Sequence, residues 1–377
     1  MSGDAAARGI RDHDQDGSIG LVSTDPEPPY ARPPLSKGLW QGNDEATIWR
    51  GTADLGVDLH LARRITGIDL AERTAIDDQG ESYAWERLLL ATGGRPRRLP
   101  SGNGAVVYYR TVADYRRVRA QVREGARFVV IGGGFIGSEV AAALSSSGVI
   151  VTMVFPENGI GARLFPPALA EFVNGYYREK GVEVLPGEVV EGIEDGVVRL
   201  GSGRKLESDC IVAGLGIEPA TELAEAAGLP VDDGIVVDDR GRTGGRADVF
   251  AAGDVARFPA KALGKLIRVE HEDHANSHGR AVGANMAGAD TPYNHLPFFY
   301  SDLFELGYEA VGEVDSRLDS VEKWAAPNRK GVVSYVDDGR MPRGFLLWDV
   351  WGKVDEARAL IEGGKPIGEK QLESLLG

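Results

Sequence analysis

The stretch Phe128-Val-Val-Ile-Gly-Gly-Gly-Phe-Ile-Gly-Ser-Glu-Val140 limits the fold more than any other part of the chain. Its opening apolar run predicts a strand, and the apolar residues beyond the glycines predict a helix. Between them Gly132, Gly134 and Gly137 form a G-x-G-x-x-G turn. Gly132 permits a tight turn, and Gly134 lacks the Cβ that would keep a pyrophosphate away from the backbone amides. Gly137 allows close packing of helix on strand, and the helix N-terminus presents the positive end of a dipole. The glycines alone are weak evidence, since a strand–helix turn can be glycine-rich for packing reasons only. The strand before them and the helix after them are the context that dinucleotide binding requires.

From Arg127 onward strand and helix alternate, which marks a parallel sheet that closes near Ile211 to Gly216. The second strand of that unit, Ile150 to Val154, leads into Phe155-Pro156-Glu157. An acidic residue there accepts hydrogen bonds from ribose hydroxyls, so Glu157 favours NAD. Arg163 lies close by and could instead meet a 2′-phosphate, which keeps NADP as the alternative.

With 377 residues the chain exceeds one ordinary core, and two or three domains are expected. The formal charge of −15 argues against nucleic-acid binding, which needs a dense field of Lys and Arg. No apolar run reaches the roughly 18 residues of a membrane span, and the first residues lack the apolar core of a signal peptide, so a soluble, cytoplasmic protein is expected. Cys210 is the one cysteine, which rules out an internal redox disulfide within this sequence; it precedes the apolar run Ile211 to Ala213 and is expected to be a small core residue. The six histidines show no HExxH spacing, and no metal is expected.

Coarser patterning predicts a helix over Asp4 to Arg11, a short strand over Ile19 to Ser23 and a Pro-rich loop from Pro26 to Pro34. Strands are expected at Val57 to Leu61, Ile65 to Asp69 and Glu86 to Thr92, and helices at Asp114 to Val122 and His274 to Met286. Beyond Pro292 the aromatic content rises, and Glu309 to Val314, Val332 to Val336 and Gly344 to Trp351 read as an antiparallel sheet followed by a helix from Lys353 to Ile361.

A second signature lies in Ala247-Asp-Val-Phe-Ala-Ala-Gly-Asp254, where an acidic side chain follows a strand and a glycine; Leu90-Ala-Thr-Gly-Gly94 accompanies it. Together with Pro29-Tyr-Ala-Arg-Pro-Pro-Leu-Ser-Lys37, Val269-Glu-His-Glu-Asp-His274 and Phe298-Phe-Tyr-Ser-Asp302, these motifs make the chain resemble the two-dinucleotide flavoprotein family of glutathione-reductase-type enzymes. Within it the sequence is similar to the branch of apoptosis-inducing factor and the bacterial NADH-dependent ferredoxin reductases. The resemblance implies an α/β fold with two Rossmann-like dinucleotide-binding domains and a C-terminal α+β domain carrying an antiparallel sheet. The expected FAD domain comprises residues 1–108 and 232–292, the NAD(P) domain 109–231, and the interface or dimerisation domain 293–377.

The same resemblance implies contacts to FAD from Gly3, Asp25, Arg32, Lys37, Ile65, Thr92, Gly93, Arg110, Gly253, Asp254, His271 and Glu272. It implies contacts to the nicotinamide nucleotide from Gly132, Gly134, Phe135, Ile136, Gly137, Glu157, Arg163, Gly216, Glu270 and Glu309. Lys37 and Glu139 correspond to a pair beside the reactive flavin nitrogen, and Tyr300 to an aromatic residue near the ring that is Trp in the apoptosis-inducing-factor branch. The chain departs from the family at its start: it enters midway through the first glycine motif, with Gly3 as the third glycine. FAD content below one per chain is the resulting expectation.

Transfer to a disulfide lacks its cysteine pair, which leaves a ferredoxin, a quinone or oxygen as electron acceptor. A small ferredoxin-like protein is the expected partner, docking near Arg95, Arg97 and Arg98, with a second copy of the chain as a further candidate partner. The competing readings are a redox-sensing binding protein whose dimerisation responds to NADH, and a flavin-poor homologue that binds NAD only.

Overall fold

The computed structural model describes residues 1–102 and 104–377. The chain divides into two compact units, each assembled from three separate segments.

The first unit holds residues 1–31, 45–95 and 218–297. Its helices Ser2–Arg11 and Glu272–Met286 lie in very close contact. A Cβ on Gly283 would fall 2.0 Å from the carbonyl oxygen of Ala6, and one on Gly279 2.6 Å from that of Ser2, so only glycine allows this approach. Asp4 on the first helix is fully buried. It accepts hydrogen bonds from Thr52 Oγ1 at 2.7 Å, Arg50 Nε at 2.5 Å and Arg8 Nε at 3.1 Å. Burial pushes its carboxyl upward, but these bonds outweigh that and hold it below the usual carboxylate range. Two parallel strand pairs carry the unit: Ile19–Val22 with Val57–His60, and Leu88–Leu90 with Val249–Ala251. The antiparallel strands Ile65–Asp69, Thr74–Asp77 and Ser82–Ala84 flank them in sequence. The core gathers Leu90, Val249, Ala251, Val255 and Phe258.

The second unit holds residues 32–44, 96–217 and 298–377. Its parallel sheet runs in the order Glu183–Pro186, Ile150–Phe155, Arg127–Ile131, Cys210–Ala213, Val106–Tyr108. The helix Phe135–Ser145 is the crossover between the adjacent strands Arg127–Ile131 and Ile150–Phe155, the connection expected of a βαβ unit. A five-stranded antiparallel sheet follows in the order Phe298–Leu303, Leu306–Gly312, Pro342–Trp348, Lys330–Val336, Asp319–Ala326. The helices Val354–Glu362 and Glu369–Leu376 follow it in the chain.

This division differs from the expected one in several places, with residues 32–44 clustering with the second unit and 293–297 with the first. Strand Val106–Tyr108 pairs with Cys210–Ala213, so the sheet of the second unit begins before residue 109. Residues 218–231 cluster with the first unit, where Ala220 donates its N–H to the Gly93 carbonyl. The antiparallel sheet is not a separate body: Phe299 meets Phe135 edge-on at 5.0 Å between centroids, and the Tyr335 hydroxyl donates to the Leu164 carbonyl, so it clusters with the parallel sheet. Strand Glu86–Thr92 shortens to Leu88–Leu90, and the helix expected at Asp114 begins at Val112 because Thr111 caps it, with Asp114 returning the bond to the Thr111 N–H.

Candidate functional site

In the second unit the strand Arg127–Ile131 ends at Gly132, whose φ of +113° suits glycine, and whose Cβ would lie 2.4 Å from the Gly214 carbonyl oxygen. A Cβ on Gly137 would lie 2.0 Å from the Gly132 carbonyl oxygen, so this glycine is needed for packing. Gly134 is different. It is the N-cap of helix Phe135–Ser145, and a Cβ there meets nothing within 4 Å. The space its missing side chain leaves lies at an uncapped helix N-terminus, the arrangement that accepts a phosphate. The residues present therefore fit the pyrophosphate of a dinucleotide.

Glu157, after the next strand, accepts two hydrogen bonds from Arg163, from Nε at 3.1 Å and Nη2 at 2.8 Å. The residues that favour alternative nucleotides are thus paired with each other. Gly216 accepts the Arg97 N–H, and Glu309 Oε2 accepts the Gly352 N–H at 2.8 Å. Ile136 is exposed on the first turn of the fingerprint helix.

One and a half turns into the same helix, Glu139 points inward and is 5% exposed. Its Oε1 receives Lys37 Nζ at 2.5 Å and Ser301 Oγ at 2.6 Å, and its Oε2 receives Ser36 Oγ at 2.6 Å. Lys37 and Ser36 follow the turn Pro33–Pro34, and Ser301 lies on the edge strand of the antiparallel sheet. Tyr300, the neighbour of Ser301, is half-exposed, and its ring centroid is 5.2 Å from Lys37 Nζ. The phenols of Tyr177 and Tyr308, both fully buried, are raised well above their ordinary values by burial, with the charge of Glu139 adding to the shift. Asp302 is likewise raised by burial, with Lys37 pulling it down and Glu139 pushing it up. Arg32 precedes the same turn, and the Arg110 N–H donates to Asp114 at 3.1 Å ahead of the capped helix.

In the first unit Gly253 turns the chain at φ +75°, and a Cβ there would strike Ser2 Oγ. Asp254 follows in this turn, whose Gly253 N–H donates to His278 Nδ1 at 3.4 Å. His271 is the N-cap of the helix that Glu272 opens. Burial lowers His271 to about 4 and His278 to about 3, against the raising pull of Asp254 and Asp273 on His271. A carboxylate can accept hydroxyls and an uncapped helix start can accept a phosphate, so the residues around Asp254 and His271 fit a flavin nucleotide. Glu270 accepts Arg268 Nη1 at 2.6 Å, and Asp25 accepts the Tyr30 hydroxyl at 2.9 Å. Thr92 Oγ1 donates to Ala220 at 2.7 Å, and Gly93 takes a positive φ beside it. Gly3 lies against Leu21, and Ile65 opens its strand opposite Asp77.

Sequence reasoning missed Ser36, Ser301 and Gly214. Both serines lie inside quoted motifs, yet nothing in their spacing shows that they converge on Glu139 from 103 positions before it and 162 after it. Gly214, whose Cβ would lie 2.7 Å from the Gly137 nitrogen, was visible only as one more glycine at a strand end. Cys210 is buried as expected, and burial pushes its thiol up to about 11. Among the described residues no cluster of His, Cys, Asp and Glu could hold a metal ion, and no helix is long and apolar enough to cross a membrane.

A family model described as pyridine nucleotide-disulphide oxidoreductase matches residues 1–280, and one described as the C-terminal part of mitochondrion-associated apoptosis-inducing factor matches residues 282–330. The chain is 33% identical over 399 residues to apoptosis-inducing factor 1, mitochondrial, of Dictyostelium discoideum, covering 93% of this chain and 75% of that protein. It is 36% identical over 380 residues to the ferredoxin–NAD(+) reductase component of the anthranilate 1,2-dioxygenase system of Burkholderia cepacia, covering 97% and 93%. The crystal structure of the covalent putidaredoxin reductase–putidaredoxin complex matches with a TM-score of 0.92 at 30% identity, over 98% of this chain and 93% of that one. The glycine turn at Gly132, the acid after Gly253 and these likenesses agree: the chain belongs to the pyridine nucleotide-disulphide oxidoreductase family, a family of enzymes that use FAD and NAD(P)H.

Proposed function

We propose that the chain is an NADH-dependent flavoprotein reductase that delivers electrons to a small ferredoxin-type iron–sulfur protein. The observation that carries this reading is the buried Lys37–Glu139 pair, set on the helix whose N-terminus is shaped for a pyrophosphate. The first unit is assigned the flavin nucleotide, through Asp254, His271 and the turn at Gly253. The second unit is assigned the nicotinamide nucleotide, with Gly134 and the helix start on the pyrophosphate and Glu157 on the ribose hydroxyls. When bound, the flavin supplies the step between two-electron hydride transfer and one-electron delivery. Lys37 holds a positive charge for the negative charge that develops on the reduced ring, and Tyr300 offers an aromatic face beside it.

A lone buried cysteine gives this chain no dithiol to serve as acceptor. Likeness to the ferredoxin–NAD(+) reductase component and to putidaredoxin reductase supports a ferredoxin-type partner instead. Arg97 and Arg98 are the basic residues that the second unit offers to an acidic acceptor, with Arg98 lying over the Tyr108 ring; Arg95 pairs with Glu222 in the first unit. The location proposed for it is the cytoplasm.

The test is stopped-flow reduction of a purified ferredoxin by NADH with catalytic amounts of the flavin-loaded protein. Acceleration well above free NADH supports the reading. Slow transfer to every acceptor, with an NADH-dependent change in elution volume, replaces it with the redox-sensing binding protein.

A further inference from the structure

A carboxylate as deeply buried as Glu139 is stable only when its oxygens are satisfied by donors. Lys37 supplies one, and two buried serines supply the others. Ser301 is 0% exposed and occupies an inward position of its strand, where the next inward residue is Leu303. A hydroxyl at such a position is costly unless bonded; that of Ser301 bonds the Tyr308 hydroxyl as well as Glu139, and its 2.6 Å contact to Glu139 is short enough to be charge-assisted. Ser36 has only a 3.4 Å contact to the Pro33 carbonyl besides its 2.6 Å bond to Glu139.

The arrangement is directional. Ser36 and Lys37 are consecutive residues that take opposite oxygens of one carboxylate, while Ser301 shares Oε1 with Lys37 from the other side. Rotation of the carboxylate about its last bond would break the serine contacts. Without the serines it would be held, among the described residues, by the flexible Lys37 side chain alone, and the ammonium would be less firmly placed.

We propose that Ser36 and Ser301 are positioning residues that fix the Glu139 carboxylate and, through it, the Lys37 ammonium that the proposed function assigns to the reduced flavin. The proposal rests on the assignment of Lys37 to the flavin made above. Each serine acts by restricting Glu139.

The test compares Ser36→Ala, Ser301→Ala, the double variant, Ser301→Thr and Lys37→Met with the unaltered chain. Three readouts are taken: the flavin midpoint potential, the rate of flavin reduction at saturating NADH, and the infrared carboxylate band assigned to Glu139 by its loss in Glu139→Gln. In the double variant the reduction rate falls about tenfold with the KM for NADH unchanged, and the midpoint potential falls by about 30 mV, the two-electron equivalent of tenfold. The Glu139 band moves in both alanine variants, with or without flavin, and Ser301→Thr restores it because the hydroxyl is kept. An unmoved band overturns the proposal even if the rate falls, since the loss would then be general. A moved band with unchanged rate and potential overturns it too, provided Lys37→Met alters both. If Lys37→Met alters neither, the assignment of Lys37 to the flavin fails instead.

Discussion

Replacing Gly134 by Ala and Gly137 by Ala, three positions apart in one motif, should produce opposite defects. Gly134 has φ −84° and ψ −168°, a conformation open to any L residue, and its added Cβ meets no atom within 4 Å. Folding should be little changed, by about 0.5 kcal/mol or less. The new methyl would stand in the space through which a pyrophosphate reaches the helix amides. Losing two hydrogen bonds to a charged group, at about 1.5 kcal/mol each by the lower estimate, removes about 3 kcal/mol of binding. That is roughly a 150-fold rise in Kd for NADH. Gly137→Ala instead drives a Cβ to 2.0 Å from the Gly132 carbonyl oxygen, so strand and helix must separate. Overpacking of this kind costs about 3 kcal/mol, or a fall of roughly 6–12 °C in the melting temperature of a unit of this size. Titration calorimetry with NADH and thermal unfolding on the same preparations separate the cases. Wild-type affinity in Gly134→Ala, or wild-type melting in Gly137→Ala, would refute the assignment of those glycines.

Removing the buried Glu139 carboxylate by Glu139→Ala should cost about 3–5 kcal/mol in urea unfolding, because Lys37 is left as an unpaired buried charge; Lys37→Met added to Glu139→Leu should recover part of it. Burial lowers His278 to about 3, below the roughly 6.5 of an unfolded histidine, so between those values the unfolded chain binds more protons. Stability from this residue is therefore complete above about pH 6.5 and is lost toward pH 3, at about 1.4 kcal/mol per pH unit; His278→Gln should flatten the fall in melting temperature between pH 6.5 and 4.5, and an unchanged slope would count against it. Glu157→Ala releases Arg163 for a 2′-phosphate, and the ratio of kcat/KM for NADPH to that for NADH should rise at least about tenfold. An unchanged ratio would remove Glu157 from nucleotide selection.

The nucleotide fold was legible because its signal is local: an apolar strand, three spaced glycines and an apolar helix are contiguous, and each is observed where expected. Strand Asp319–Ala326 escaped notice because it is a sheet edge, largely exposed, and carries no inward apolar alternation. Helix Val112–Arg119 starts two residues before the expected Asp114 because Thr111 caps it, a signal that lies in one side chain ahead of the apolar pattern. At the candidate site, Lys37 and Glu139 were named together only through family resemblance, whereas residue patterning alone reads Glu139 as a solvated helix position. The buried histidines were unreadable for a similar reason: the stacking of His274 on Phe258, at 4.6 Å between ring centroids, joins residues 16 apart by a route no period describes.

The three-point grip on Glu139 also sets an order of events in synthesis. Ser36 leaves the ribosome 103 residues before Glu139, and Ser301 162 residues after it. The parallel sheet, complete at Ala213, can form while the carboxylate still lacks one of its donors. A nascent chain that has closed this sheet thus keeps an unfinished centre until its last segment arrives, as slow, non-local contacts require. A chain halted before residue 301 would therefore hold Glu139 with two of its three donors.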